Sequence, residues 1–116
     1  MNNNKTNTAF VFPGVGSQCK GMGAGLLEEK VFLAMIRECD KEWGRYADWS
    51  LEAEIRKPAA ISRIEDILVG YPCGMAIEIA LVELLKSLGV QPGAVMGHSG
   101  GEVTAAYTAG ILDLAG

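Results

Sequence analysis

Apolar and polar positions along the chain separate two short continuous runs from longer periodic stretches. "AFVF" (Ala9 to Phe12) and "AVMG" (Ala94 to Gly97) are apolar runs that end at glycine-containing loops, the pattern of buried strands. "LLEEKVFLAMIRECDKEWGRY" predicts a helix with Val31, Met35 and Ile36 on one face and Gly44 as its stop. "ADWSLEAEIRKP" predicts a second, short helix, with Ser50 as N-cap, Glu52 to Glu54 in the first turn and Pro58 beyond its end. "MAIEIALVELLKSLG" is the clearest helix. Ile77, Leu81, Leu84, Leu85 and Leu88 form one stripe, Glu78 and Lys86 fall off it, and Gly89 is a natural C-cap. "EVTAAYTAGI" predicts a last helix with Gly110 near its end.

Strands separated by helices predict an α/β fold, a parallel sheet with helical cover. Two strands make a poor core, so the sequence reads as the opening part of an α/β domain. Residues 1–7 form a polar tail, and residues 8–116 show neither an internal repeat nor a domain boundary.

Composition narrows the function classes. The chain has 116 residues, 49% of them hydrophobic, and a net charge of -4, which suits one globular unit. Without a Lys/Arg cluster, neither nucleic-acid binding nor a basic membrane-surface helix is expected. "MNNNKTNT" lacks the apolar core of a secretory signal. No run of about 18 apolar residues is evident, so no membrane span is expected. Cys19, Cys39 and Cys73 lie far apart without CxxC spacing, which fits free thiols in a reducing, cytoplasmic setting better than disulfides or a metal site.

Candidate chemistry concentrates at Gly97-His98-Ser99-Gly100-Gly101, which satisfies the G-x-S-x-G pattern of a nucleophile elbow. A strand turning abruptly into a helix strains the serine backbone, and small neighbours relieve the clash. The turn lifts the hydroxyl clear of the sheet and sets it at a helix N-terminus, where free N–H groups can stabilise an oxyanion. A serine that merely caps a helix in a tight turn produces the same string. His98 is the sole histidine, but adjacent residues leaving a strand point to opposite sides, so it suits pocket lining or packing rather than the role of base. The base must lie outside these residues.

The glycine-rich stretch "GVGSQCKGMGAG" lacks the third glycine of a dinucleotide fingerprint and the Gly-Lys-Ser/Thr of a P-loop. Close backbone approach to a ligand and a plain surface loop both remain open for it. Trp43 and Trp49 read as packing anchors, the acidic residues as solvated faces, and Cys73 as a packed thiol rather than one of lowered pKa.

Taken together, "FVFPGVGSQCKGMGAGLL", "ADWSLEAEI" and "YPCGMAIEIALVELLKSLGVQPGAVMGHSGGEVTAAYTAGILDL" resemble the acyltransferase family. This family includes malonyl-CoA:acyl carrier protein transacylases and the acyltransferase domains of polyketide and fatty acid synthases. "DWSL" looks more like a polyketide-synthase domain than a discrete transacylase. The resemblance implies an α/β-hydrolase-like core with a small ferredoxin-like subdomain inserted after the nucleophile region and absent from this chain. It implies a serine, here Ser99, that takes an acyl group from coenzyme A and passes it to the phosphopantetheine of an acyl carrier protein. No bound cofactor or metal is implied. The backbone N–H groups of Val15 and Gly100 would form the oxyanion hole, and Gln18, Tyr71 and His98 would line the substrate pocket.

Three positions depart from the family pattern. Val15 stands for the first glutamine of PGQGSQ, Gly100 for a bulkier residue, and Tyr71 for a glutamine before the proline. The family's histidine base and its carboxylate-binding arginine would lie beyond Gly116, since Arg37, Arg45, Arg56 and Arg63 all precede the serine. The chain is therefore expected to be the N-terminal part of an acyltransferase domain, truncated after the elbow and inactive by itself. Its partners would be the missing remainder or, through an uncovered sheet edge, a second copy. A non-catalytic domain that keeps the elbow as scaffold, and a serine esterase of α/β-hydrolase type, are the alternatives.

Overall fold

A computed structural model describes residues 8–12, 21–58, 60–97 and 101–108. Strands β1 (Ala9–Phe12) and β2 (Ala94–Gly97) pair in parallel, with Ala9 opposite Ala94 and Phe12 opposite Gly97. Between them run a 3₁₀ turn (Ala24–Glu28) and helices α1 (Lys30–Trp43), α2 (Leu51–Arg56) and α3 (Ile67–Ser87). Helix α4 (Gly101–Thr108) follows β2. The expected strand pair and helical cover are both present.

The first predicted helix is broken in two. Glu29 adopts an extended conformation (φ -80°, ψ 124°) between the 3₁₀ turn and α1. Of the expected face of α1, Ile36 is buried and Met35 packs beside the core, but Val31 is exposed; Phe32 and Cys39 complete the buried face, the larger Phe32 ring taking the core position. Gly44 ends α1 as expected, its N–H donating to the Asp40 carbonyl at 2.9 Å.

Helix α2 is capped twice. The Ser50 hydroxyl oxygen accepts from the Ala53 N–H at 3.1 Å. From α1, the Asp40 carboxylate accepts from the Leu51 N–H at 2.6 Å, the Glu52 N–H at 3.1 Å and the Ser50 hydroxyl at 2.7 Å. N–H groups that a six-residue helix would otherwise leave without partners are met by a charge from a neighbouring element.

Helix α3 starts eight residues earlier than its apolar stripe suggested, capped by Asp66, whose side chain accepts from the Leu68 N–H. Pro72 forfeits the bond to the Leu68 carbonyl, a small loss in a first turn where Leu68 is exposed. The expected single stripe is not what the core uses. Ile77 and Leu84 are buried, but Leu81 and Leu88 are exposed; Val69, Cys73, Ala76 and Ala80 extend the buried side next to Ile77, and Ile79 and Val82 are buried on other sides. Helix α3 is covered by α1 and α2 on one side and by α4 on another, so burial follows its neighbours rather than one face. By length and composition it could cross a bilayer, against the expectation of no such run; here it is the central core helix. Gly89, at φ +90°, turns the chain out of it, and the Val90 N–H closes the end on the Leu85 carbonyl at 2.9 Å.

Two apolar clusters result. The larger joins Leu27, α1, Leu51 and Ile55 of α2, Ile64 and most of α3. Trp43 and Trp49 meet edge to face at 5.3 Å beside it, the packing role expected of them. Among the described residues the smaller contains Phe10, Phe12, Val82 and Ala105, beneath one face of the sheet. On the other face Val11 and Met96, register partners, are 62% and 60% exposed, so the described residues cover the sheet on one side only.

Candidate functional site

Because β1 and β2 are parallel and Phe12 pairs with Gly97, the chain leaves both strands at the same edge. Adjacent strands lie about 4.8 Å apart. The glycine-rich stretch beginning at Pro13 and the G-x-S-x-G motif beginning at Gly97 therefore start side by side at the carboxyl edge of a parallel sheet. Ligands of α/β proteins bind at that edge. Val15, Gln18, His98, Ser99 and Gly100 lie outside the described residues. The strand ends that launch both segments, and the helix that begins at Gly101, are described.

The glycine-rich stretch returns against α3. Gly23 has φ +78°, which favours glycine, and a Cβ there would stand 2.9 Å from Ile77 Cδ1, so the Ile77 side chain would have to shift to admit one. Next to it, Met22, Phe10 and Phe12 from the strand side and Gly74, Ile77 and Glu78 of α3 help to line a cavity of about 430 Å³. Tyr71 lies elsewhere. With Trp43, Tyr46, Pro72, Met75 and Ile79 it lines a larger, mainly apolar cavity of about 520 Å³ between α1 and α3, to which the strands and α4 contribute no described residue.

Two acidic residues expected on solvated faces are built into the interior. Glu54 is buried, accepting from Lys57 Nζ at 2.8 Å and from the Arg63 N–H at 2.9 Å. Burial works to raise its pKa, but the Lys57 ammonium and the Arg63 N–H outweigh that and hold the carboxyl below the ordinary range. Glu78 is half-buried between α3 and α4, and its Oε1 accepts the hydroxyl of Thr104, itself wholly buried, at 2.7 Å. Burial pushes the Glu78 carboxyl up, and the hydrogen bond only partly opposes it. One turn further along α4, the Tyr107 hydroxyl donates to Glu83 Oε2 at 3.3 Å. The signals were present in the sequence: Glu54 sits three residues before Lys57, and Glu78 is enclosed in "AIEIA".

The thiols of Cys39 and Cys73 are buried and free. Burial, with smaller contributions from nearby carboxylates, pushes each up to about 12. Cys73 lies within α3 and is the packed thiol expected, not a nucleophile. Among the described residues no group of three or more His, Cys, Asp or Glu side chains could hold a metal ion. Arg37 and Arg56 pair with Glu52, and Arg45 with Glu42, all within α1, α2 and the turn between them.

Comparison with known proteins agrees with this layout. A family model described as acyl transferase domain matches residues 9–115. Over 107 residues the chain is 47% identical to pikromycin polyketide synthase component PikAII of Streptomyces venezuelae, an overlap of 91% of this chain and 3% of that protein. Among solved structures it superposes on a loading acyltransferase from the avermectin modular polyketide synthase with a TM-score of 0.84 and 42% identity. That overlap covers 93% of this chain and 34% of the other. The malonyl-CoA:ACP transacylase of Synechocystis sp. PCC 6803 superposes with a TM-score of 0.80 and 36% identity, over 95% of this chain and 36% of that one. The chain thus spans about a third of each solved acyltransferase.

Proposed function

The chain belongs to the acyl transferase domain family, and from that premise we propose that it supplies the nucleophile to an acyltransferase of polyketide or fatty acid synthesis. Ser99 Oγ attacks the thioester carbonyl of a malonyl-type acyl-CoA. The C–S bond breaks, coenzyme A leaves as the thiol with the serine proton, and an acyl-serine ester remains. The phosphopantetheine thiol of an acyl carrier protein then attacks the ester, and its proton returns to the Ser99 oxygen. The Val15 and Gly100 N–H groups receive the oxyanion in both halves.

One observation carries this reading: the pairing of Phe12 with Gly97, which starts the two oxyanion-donor segments from neighbouring points on one sheet edge. The same register suits an α/β-hydrolase-like core. In this reading 8–116 is its N-terminal part, with the ferredoxin-like subdomain, the histidine base and the carboxylate-binding arginine contributed by sequence outside the chain. Three arginines already engaged in ion pairs on the helical side support that assignment. Buried free thiols suit a cytoplasmic setting.

Intact-protein mass spectrometry with malonyl-CoA and a carrier protein tests the reading. A complete acyltransferase domain carrying this chain is expected to form an acyl adduct and discharge it to the carrier, and Ser99→Ala to abolish both. The chain by itself is expected to show no efficient transfer, because a serine without its base keeps little of an intact site's activity. An adduct that survives Ser99→Ala would overturn the assignment of the nucleophile. Rapid Ser99-dependent transfer by the chain alone would place the base within these residues.

A further inference from the structure

Helix α4 begins at Gly101, two residues after the proposed nucleophile, so whatever sets its axial position and rotation also sets where Ser99 stands. Among the described residues of α4, Ala105 packs in the small cluster beneath the sheet and Tyr107 lies against the larger one. Apolar contact is non-directional, so it holds the helix to the core without by itself fixing its sliding and rotation. Directional hydrogen bonds do oppose them. The Thr104 hydroxyl donates to Glu78 Oε1 at 2.7 Å and the Tyr107 hydroxyl to Glu83 Oε2 at 3.3 Å, two ties on one face of α4 to the same helix, α3. The Thr104 tie is the shorter, is nearer the elbow and lies where solvent cannot substitute for it.

Helix α3 is the appropriate anchor. It is the central helix of the larger core, and its Ile77, adjacent to Glu78, is the residue against which Gly23 closes. The return of the glycine-rich stretch and the start of α4 are thus referred to consecutive residues of one rigid element. We propose that Glu78 is a positioning residue for acyl transfer: by accepting the Thr104 hydroxyl it fixes α4, and with it the nucleophile, relative to the glycine-rich stretch. This inference rests on the acyl-transfer reading above. The role is to place the serine, and it calls for an acceptor at residue 78 rather than a charge.

Steady-state kinetics and melting of a complete acyltransferase domain carrying the chain, with malonyl-CoA as donor, test it through Glu78→Gln, Glu78→Leu, Thr104→Ser and Thr104→Val. Glu78→Gln and Thr104→Ser keep the acceptor and the hydroxyl and are expected to hold kcat within about threefold, since a retained bond retains the position. Glu78→Leu and Thr104→Val are expected to lower kcat by about ten- to a hundredfold, the scale of an ångström-level misplacement, with KM for the acyl-CoA within about twofold. Glu54→Gln, a buried change remote from α4, serves as the control that lowers the melting temperature without that loss of kcat. If Glu78→Leu fails to fold, the near-isosteric Thr104→Val decides. Unchanged kcat in folded Thr104→Val, or no rescue by Glu78→Gln, overturns the proposal while leaving the nucleophile assignment intact. Turnover that survives Ser99→Ala in the same assay overturns both.

Discussion

The α1–α2–α3 side of the molecule and the β1–β2–α4 side are held together by different means. The first has a contiguous apolar cluster in which Phe32, Ile36, Ile55, Ile64 and Cys73 are almost wholly buried. Its short α2 is tied down by the Asp40 carboxylate and the Glu54–Lys57–Arg63 contact. Among the described residues the second has a small apolar cluster, Phe10, Phe12 and Ala105 with Val82 of α3, one exposed sheet face, and hydrogen bonds from Thr104 and Tyr107 to α3. The segments that carry the proposed nucleophile and oxyanion donors both leave from this second side. Stability is concentrated where no reaction is proposed, and the reacting segments lean on it through α3. Loops that bind and react are commonly positioned in this way by a rigid scaffold.

The sharpest way to break the comparison is a large-to-small change on each side. Phe32→Ala is expected to cost about 3–5 kcal/mol, through lost transfer energy and the cavity left behind. Val11→Ala on the bare sheet face should change stability by less than about 0.5 kcal/mol. Urea-unfolding midpoints would measure both, and equal losses would mean that the sheet face is covered in solution and that the contrast is false.

A smaller effect is expected at the α2 cap. Asp40→Ala removes the acceptor for two backbone N–H groups and one hydroxyl, and is expected to destabilise the chain by about 1–3 kcal/mol. Ser50→Ala should cost less, and the double variant should fall short of the sum, because Asp40 and Ser50 share a hydrogen bond. Strict additivity would show that the two caps act independently.

The smallest effect sharpens the contrast at Glu78. Its raised pKa means that the folded chain keeps this proton to higher pH than the unfolded chain does. The carboxyl therefore favours folding most below the ordinary glutamate pKa, near 4.3, and that advantage is lost as pH rises through the folded value. Glu78→Gln cannot ionise. It should be more stable than the parent at neutral pH, with the difference narrowing as pH falls through the raised folded value and closed below the ordinary one. Glu52 and Glu54, lowered on the other side of the molecule, act in the opposite sense and are present in both proteins, so they cancel from the difference. A gap that widens toward acid would contradict the assignment.

Both strands, the Ser50 cap and the stops at Gly44 and Gly89 were legible in the sequence, because each depends on residues within one or two turns of one another. The parallel pairing of "AFVF" with "AVMG" followed from strands separated by helices, and the family from motifs in a fixed order. Local signals could not settle which face of a helix is buried. In α1 Ile36 is buried as expected but Phe32, not Val31, shares the core with it, and in α3 Ile77 and Leu84 keep the expected burial while Leu81 and Leu88 do not, because the helix is covered on more than one side. Nor could spacing show that Asp40 caps a helix eleven residues away, that Glu54 lies buried beside Lys57, or that Glu78 and Thr104 meet across 26 residues. Periodicity and capping are properties of a segment and survive in one dimension. A buried carboxylate with its partner is a property of two surfaces brought together, and only the tertiary structure decides it.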